Sequence, residues 1–517
     1  MVSIMKMNRK PIAALKRLMG YSAISGTSSV LAIVLICFAA AGPVFAEDLP
    51  QGVCQASNSL SVLVRGKDVK AYVPRGAWSS SVPGVAVLKI EGKDGSAAKI
   101  PISESINSCA SNSVTGETVC TANDSSNVYI ISDNNSFRSL KSAAIPPGPS
   151  YPAMFAEGNC TNCGVTIDPI NNRAVITLNL SATPPLVEGF QILNLGGSPN
   201  FETEVRLAQN QQVSPGTLID PIRNIILSPN QLGIFGIVKL PNNQNKKNDD
   251  NHKNDAIPAV SSPTFVQNAF PMTAFGSAGA DCEKGVVLAT MMEDLSKFPF
   301  TEEPPKVFIG NLNKATAGSS PGTWTFMPTK KNEPPPFQTQ PLSESHLSLG
   351  SNGIALVQGT KIGVLTGEFG AIDPFITGLN RGDWITAIAI AKHTDGDDDA
   401  AGNKDEKDDG GSDDVDSPGI RDWVSCRIPG AFQIGLAPHT VAAYKSPKNG
   451  HAMAVVGNWD LAAGMVTQVA VIDLTQMLHK TKRTKEGHAC ALPGQSLSPG
   501  GPNPEVTFFD VPRPDMP

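Results

Sequence analysis

The chain has 517 residues, with 41 Lys+Arg against 47 Asp+Glu, 47 Gly, 42 Pro, and only 17% charged and 6% aromatic residues. An apolar fraction of 40% supplies a core and excludes wholesale disorder, while abundant Gly and Pro without long 3.6-residue periodicity exclude a mostly helical protein. At roughly 100–200 residues per domain, this length allows two to four units or one large all-β unit.

Residues 1–46 are expected to be a signal peptide. Lys6, Arg9, Lys10, Lys16 and Arg17 form a basic region free of acids, and Val30–Ala41 is an apolar run too short to span a bilayer. Val44 and Ala46 put small residues where a signal peptidase inspects the chain, so the mature protein is expected to start at Glu47. Cys37 follows bulky Ile36 and reads as part of the apolar run rather than as a lipid-bearing cysteine. No later segment reaches 18 apolar residues, so a secreted or periplasmic chain without a membrane span is expected.

Cleavage would remove five positive charges and take the formal net charge from −6 to −11. Residues Asp395 to Asp416 hold ten Asp and one Glu against Lys404 and Lys407, a local net of −9. The remainder is nearly neutral. No basic field exists to neutralise a phosphate backbone, so nucleic acid is not expected as a partner.

With Cys37 removed, eight cysteines remain, an even number that suits disulfides in an exported chain but allows 105 pairings. Cys109 and Cys120 flank a predicted hairpin turn and form the expected local pair. Cys160-Thr161-Asn162-Cys163 is followed by Gly164 rather than His, which excludes a c-type haem attachment site.

In chain order, strand–turn–strand–loop–strand units recur. The clearest begins at Pro438-His439-Thr440-Val441-Ala442-Ala443-Tyr444, turns at Lys445 to Gly450, returns through Val455-Val456-Gly457-Asn458 and ends on Val469-Ala470-Val471-Ile472-Asp473. Weaker copies place final strands at about residues 85, 128, 190, 234, 307 and 362, besides 469, which makes seven units. A lone meander leaves one face uncovered, and radial stacking buries such faces, so the expected fold is an all-β propeller of seven four-stranded antiparallel blades. Two β-sandwich domains are the alternative. Val506–Val511 is expected to pair with the N-terminal blade and close the ring.

The 438–474 unit resembles a repeat of the YVTN-type propellers, a group related to lactonase-like seven-bladed propellers. Pro438-His439, Val455-Val456-Gly457-Asn458 and Val471-Ile472-Asp473 carry the resemblance. It implies a seven-bladed scaffold for residues 47–517 and little about activity, because one propeller serves many functions. Insertions at about 242–275, 325–345 and 394–420 are expected as solvated loops on a propeller face.

Three groups of candidate site residues stand out. Asp395, Asp397, Asp399 and Glu406 occupy positions 1, 3, 5 and 12 of a calcium loop, although Ala400 and Gly402 depart from its pattern; a solubilising acidic loop is the other reading. His346, His439 and Cys163 fall at equivalent first-strand positions, where they could converge on Zn or Cu in a central channel or simply satisfy carbonyls at separate rims. Asp168, Asp220 and Asp373 share Ile-Asp-Pro, which is turn chemistry at a strand end. Arg381-Gly382-Asp383 spells an adhesive tripeptide of low specificity. No catalytic set assembles. The expected function is therefore a binding or scaffold module that holds a protein, polysaccharide or small ligand on one face, as a monomer. A lactonase-like or metal-dependent hydrolase with its site at the central channel is the alternative.

Overall fold

The computed structural model describes residues 49–56, 60–75, 82–90, 96–146, 161–182, 188–206, 216–229, 235–240, 264–265, 275–291, 306–317, 324–326, 337–341, 353–369, 381–390, 423–428, 436–460, 465–479, 482–483, 490–491 and 506–512. All lie in one compact unit, Leu49–Pro517. The expected signal peptide falls outside the described residues. Among the described residues, no helix is long and apolar enough to cross a membrane.

Five sheets are antiparallel meanders of consecutive strands. The first is Ser61–Arg65, Asp68–Pro74, Val85–Lys89 and Ser96–Ile100; the second is Ile106–Asn112, Glu117–Ala122, Asn127–Ile131 and Phe137–Lys141. The third is Asn162–Asp168, Arg173–Asn179, Glu188–Asn194 and Asn200–Phe201, with Val205–Arg206 also on its edge; the fourth is Leu218–Asp220, Ile225–Pro229, Phe235–Lys239 and Thr264–Phe265. Gly353–Val357, Ile362–Phe369, Arg381–Ile390 and Trp423–Ile428 form the sixth in chain order.

Two further sheets reach four strands only across an insertion. Phe275–Asp281, Val286–Met291 and Lys306–Asn311 gain Phe337–Pro341 after an intervening hairpin of Ala315–Ala317 and Trp324–Phe326. Leu436–Lys445, Ala452–Asp460 and Met465–Asp473 gain Val506–Asp510 after a short helix, Leu474–His479, and a small hairpin. The expectation of seven like units is thus corrected to five regular blades and two sheets with interrupted outer strands. Two segments expected as loops, within 242–275 and 325–345, supply the edge strands Thr264–Phe265 and Phe337–Pro341. Ile362 opens a second strand and not a final one, because Arg381–Ile390 is the third strand of its sheet.

The burial gradient sets the orientation. The first strands Ile106–Asn112 and Asn162–Asp168 are wholly buried, whereas the fourth strands Ser96–Ile100 and Phe137–Lys141 are mostly exposed. First strands therefore face the middle and fourth strands the rim. The first strand of each sheet contacts that of the next, and the last, Leu436–Lys445, contacts Ser61–Arg65. Short strands in a closed cycle of meanders make a β-propeller, not a pair of sandwiches.

Apolar side chains fill the wedges between sheets. Leu60, Val62, Ala71 and Leu88 pack with Tyr444, Val455, Val469 and Phe509 where the first sheet meets the last. Val119, Val128 and Ile130 meet Val165, Ile167 and Ile176, and Val175 and Phe190 meet Ile219 and Ile226. Gly279 marks a close approach of the fifth and sixth sheets: a Cβ there would lie 3.0 Å from the Ile354 carbonyl oxygen and 3.3 Å from the Ala355 Cα.

Ring closure differs from expectation. Val506–Asp510 pairs with Met465–Asp473 of its own sheet, not with the N-terminal sheet. Among the described residues, neither terminal sheet takes a strand from the opposite end of the chain, and closure relies on side-chain packing and on the segment Leu49–Ala56.

Candidate interaction face

The turns from first to second strand repeat one device. Asn112 Oδ1 accepts the N–H groups of Val114 and Thr115 at 3.0 and 3.2 Å; Asp168 Oδ1 accepts those of Ile170 and Asn171 at 3.1 and 3.0 Å; Asp220 Oδ1 accepts those of Ile222 and Arg223 at 2.9 and 3.1 Å. Each turn closes on a left-handed residue, Gly116, Asn172 or Asn224. This is the turn role expected for Asp168 and Asp220. Asp373 lies outside the described residues.

The turns are laced together between sheets. Asn112 Nδ2 donates to Asn172 Oδ1 at 2.9 Å, Arg173 donates to Asn224, and Arg223 donates to Asn313 and, at 3.2 Å, to the Cys282 carbonyl. Arg173 Nε also meets Asp168 Oδ2 at 2.9 Å with both side chains buried, and Arg223 Nη1 meets Asp220 Oδ2 at 2.7 Å. Farther round, Asp281 accepts the N–H groups of Gly359 at 2.9 Å and Lys361 at 2.8 Å. Burial pushes the Asp220 and Asp281 carboxyls up, opposed by Arg223 for the first and by backbone N–H groups for the second.

Holding the third turn residue outward has a visible consequence. Val114, Ile170 and Ile222 occupy the same place in three successive turns and are 54%, 47% and 49% exposed. Only two other large apolar side chains among the described residues are exposed, Phe137 and Phe508, both on outer strands. Beside the turns lies an open groove of about 700 Å³, lined by Thr115, Glu117, Asp133, Arg138, Asn172 and Leu195 among others. Sequence reasoning found the Asp-Pro turns and missed the apolar tips. The signal was present in Asp168-Pro169-Ile170 and Asp220-Pro221-Ile222, where an isoleucine follows the turn proline twice.

Asp133, on the groove wall, fastens the first sheet to the second. Lys70 Nζ donates to its carboxylate at 2.6 Å and to its carbonyl at 2.7 Å, and Arg65 reaches it at 3.3 Å. The Lys70 hydrogen bond outweighs burial and holds this carboxyl below its ordinary value of 3.8. A depressed folded-state pKa contributes stability above the unfolded value and loses it as pH falls through the folded one. The difference in unfolding midpoint between wild type and Asp133→Asn is therefore expected to be small, complete above pH 3.8, and to vanish on acidification below it. Thermal scans across that range check it.

On the inner side, Leu49–Ala56 lies across the middle of the ring. Gln51 accepts from Lys445 N at 3.0 Å and from the Ser113 hydroxyl, Gln55 donates to the Ala443 carbonyl, and Thr166 Oγ1 donates to the Gln55 carbonyl at 2.9 Å. Gly52, at φ +86°, brings the backbone so close to the Ser111 carbonyl oxygen that a Cβ would lie 2.8 Å from it. Val53, Cys54 and Ala56 pack with Leu218, Leu227, Ala278, Ala280 and Leu312, and Cys54 is disulfide-bonded to Cys282. One short segment thus touches the second, third, fourth, fifth and last sheets.

Among the expected metal residues, Asp395, Asp397, Asp399, Glu406 and His346 lie outside the described residues. His439 falls within the strand Leu436–Lys445, at the register shift between Pro438 and Thr440. Cys163 is buried on a first strand as expected, but its sulfur is in a disulfide and so is not the thiolate that a transition metal takes. The Cys109–Cys120 pair is present, its residues directly opposite one another in the second sheet.

No model of a known protein family matches the sequence, and no curated protein matches it. Among solved structures, the chain is similar to the β-propeller domain of Cps50 (Swd1) from Myceliophteria thermophila at 9% identity, with 82% of this chain and 98% of that one covered and a TM-score of 0.40. It is similar to Hsv2 of Kluyveromyces lactis at 8% identity, covering 89% and 100%, with a TM-score of 0.40. A chain of a mitotic checkpoint complex shares 9% identity over 85% of this chain and 94% of its own, with a TM-score of 0.42.

Proposed function

We propose that this chain is an exported β-propeller that binds a protein partner on the face formed by its first-to-second-strand turns. The arc of Val114, Ile170 and Ile222 carries the reading. Isolated exposed apolar residues are ordinary, but equivalent positions exposed on three adjoining, hydrogen-bonded turns make a patch. Aliphatic tips flanked by a polar groove match the apolar centre and polar rim of a protein interface. No described residue lining the groove is aromatic, which favours a protein over a polysaccharide. The Cys54–Cys282 and Cys109–Cys120 disulfides, with a further one at Cys163, suit an oxidising compartment, in keeping with the signal-like first 46 residues. The unbroken cycle of first-strand contacts supports counting the two interrupted sheets as blades of a seven-membered ring, the architecture of the YVTN-type group.

Displayed peptides selected for binding to the wild-type protein provide the test. Val114→Asp, Ile170→Asp and Ile222→Asp together are expected to weaken the selected binders by more than about tenfold, while Phe508→Asp on the rim leaves them unchanged. Equal binding by the triple variant would remove the turn face as the site.

A further inference from the structure

We propose that reduction of the Cys54–Cys282 disulfide converts its surroundings into a zinc site, with the two thiolates and the Asp220 carboxylate as ligands and water in the fourth position. The Cys54 sulfur, the Cys282 sulfur and an Asp220 oxygen all lie within 4.8 Å of one another, and all three residues are buried. Zn–S bonds of about 2.3 Å at a tetrahedral angle set two sulfurs about 3.8 Å apart. That separation fits within the existing cluster after a small movement of the Leu49–Ala56 segment.

Charge and the hydrogen bonds around Asp220 support the assignment. Two thiolates and a carboxylate carry three negative charges, which one Zn²⁺ and the Arg223 guanidinium neutralise. Arg223 already donates to Asp220 at 2.7 Å and to the Cys282 carbonyl at 3.2 Å, and the Ile222 and Arg223 N–H groups orient the carboxylate from its other oxygen. Thiolates favour zinc over the hard cations calcium and magnesium. The three ligands come from the N-terminal segment, from the end of Leu218–Asp220 and from the turn after Phe275–Asp281, so the ion would tie together what the disulfide ties.

The chemistry balances with a dithiol as reductant. The dithiol gives two electrons and two protons to the Cys54–Cys282 bond and becomes a cyclic disulfide. The two cysteine protons then leave as Zn²⁺ binds. Disulfide and zinc are alternatives at one place, so the segment stays fastened in either redox state while metal is present.

Full-length protein reduced with a dithiol, desalted without oxygen and titrated with zinc alone tests this by native mass spectrometry and thermal unfolding. The expected result is one tightly held zinc per reduced chain, a raised unfolding midpoint, and no such ion on the oxidised protein. Cys54→Ser and Cys282→Ser should each weaken binding more than about tenfold, as should Asp220→Asn, which retains an acceptor for the turn. Cys109→Ser with Cys120→Ser should leave it intact. The proposal is overturned if reduced wild type takes up no zinc, or if Cys54→Ser with Cys282→Ser binds it as tightly as wild type does. Folding of each variant is checked by circular dichroism, so loss of zinc by a folded chain is distinguished from loss of the chain.

Discussion

Replacing Cys54 with Ser is expected to lower the thermal midpoint of the oxidised protein by about 5 °C. The disulfide spans a sequence separation of 228 residues. Chain entropy gives about 5 kcal/mol for closing a loop of that length, and for a unit of this size each kcal/mol moves the midpoint by about 1 °C. Cys282→Ser should match it, and the double substitution should add nothing further, because one bond is lost in every case. The Cys109–Cys120 bridge is the internal control. It closes a separation of only 11 residues, so its loss should cost about 3 kcal/mol on the same scale. A midpoint that moves no more for Cys54→Ser than for Cys109→Ser would show that the N-terminal segment does not fasten the ring. Calorimetry under non-reducing conditions makes the comparison.

The consequence of that bond extends beyond chain entropy. Among the described residues, no strand of the first sheet comes from the C-terminal stretch, and none of the last sheet comes from the N-terminal stretch. Hydrogen-bonded strand exchange therefore does not hold the ring shut. Packing of Leu60 and Val62 against Val455 and Phe509 does so on the wedge side, and Leu49–Ala56 does so from inside. Cutting the tether should loosen both ends together.

Asp168→Ala is expected to cost about 3–5 kcal/mol, the range for removing one partner of a buried ion pair. Arg173 is 2% exposed and Asp168 fully buried, so the substitution strands a guanidinium away from water. It also removes the acceptor for the Ile170 and Asn171 N–H groups, which shape the turn. The matching change at Asp220 should cost less, since Arg223 is 14% exposed and regains some solvation. Asp168→Ala combined with Arg173→Met should recover part of the loss, because two apolar groups replace a pair instead of orphaning one charge. Denaturant midpoints of wild type, Asp168→Ala, Arg173→Met and the double variant test the cycle. A loss under about 1 kcal/mol for Asp168→Ala would mean that water reaches Arg173.

The groove and the apolar arc depend on the same lacing. Arg173 connects the third turn to Asn224 of the fourth, and Asn112 connects the second to Asn172 of the third. Changes to Asp168 should thus disturb the spacing of Val114, Ile170 and Ile222 before they unfold the ring, a loss of partner affinity that tip substitutions would reproduce without destabilisation.

Sequence by itself determined the local pieces. Alternating apolar runs bounded by Gly, Asn and Pro gave the strands from Val85–Lys89 to Met465–Asp473, because side-chain period and turn residues act over a few positions. Ile-Asp-Pro identified turns at Asp168 and Asp220, and proximity identified the Cys109–Cys120 pair. Tertiary structure alone decided the long-range choices. Phe337–Pro341 and Val506–Asp510 join their sheets across insertions, and any exposed edge of matching length would satisfy their local pattern. Nothing local to Cys54 distinguishes Cys282 from its other possible partners, since the pairing follows from where an eight-residue segment crosses the ring. The exposed arc has the same origin: each apolar tip is unremarkable alone, and only the closed cycle of blades sets three of them on one face.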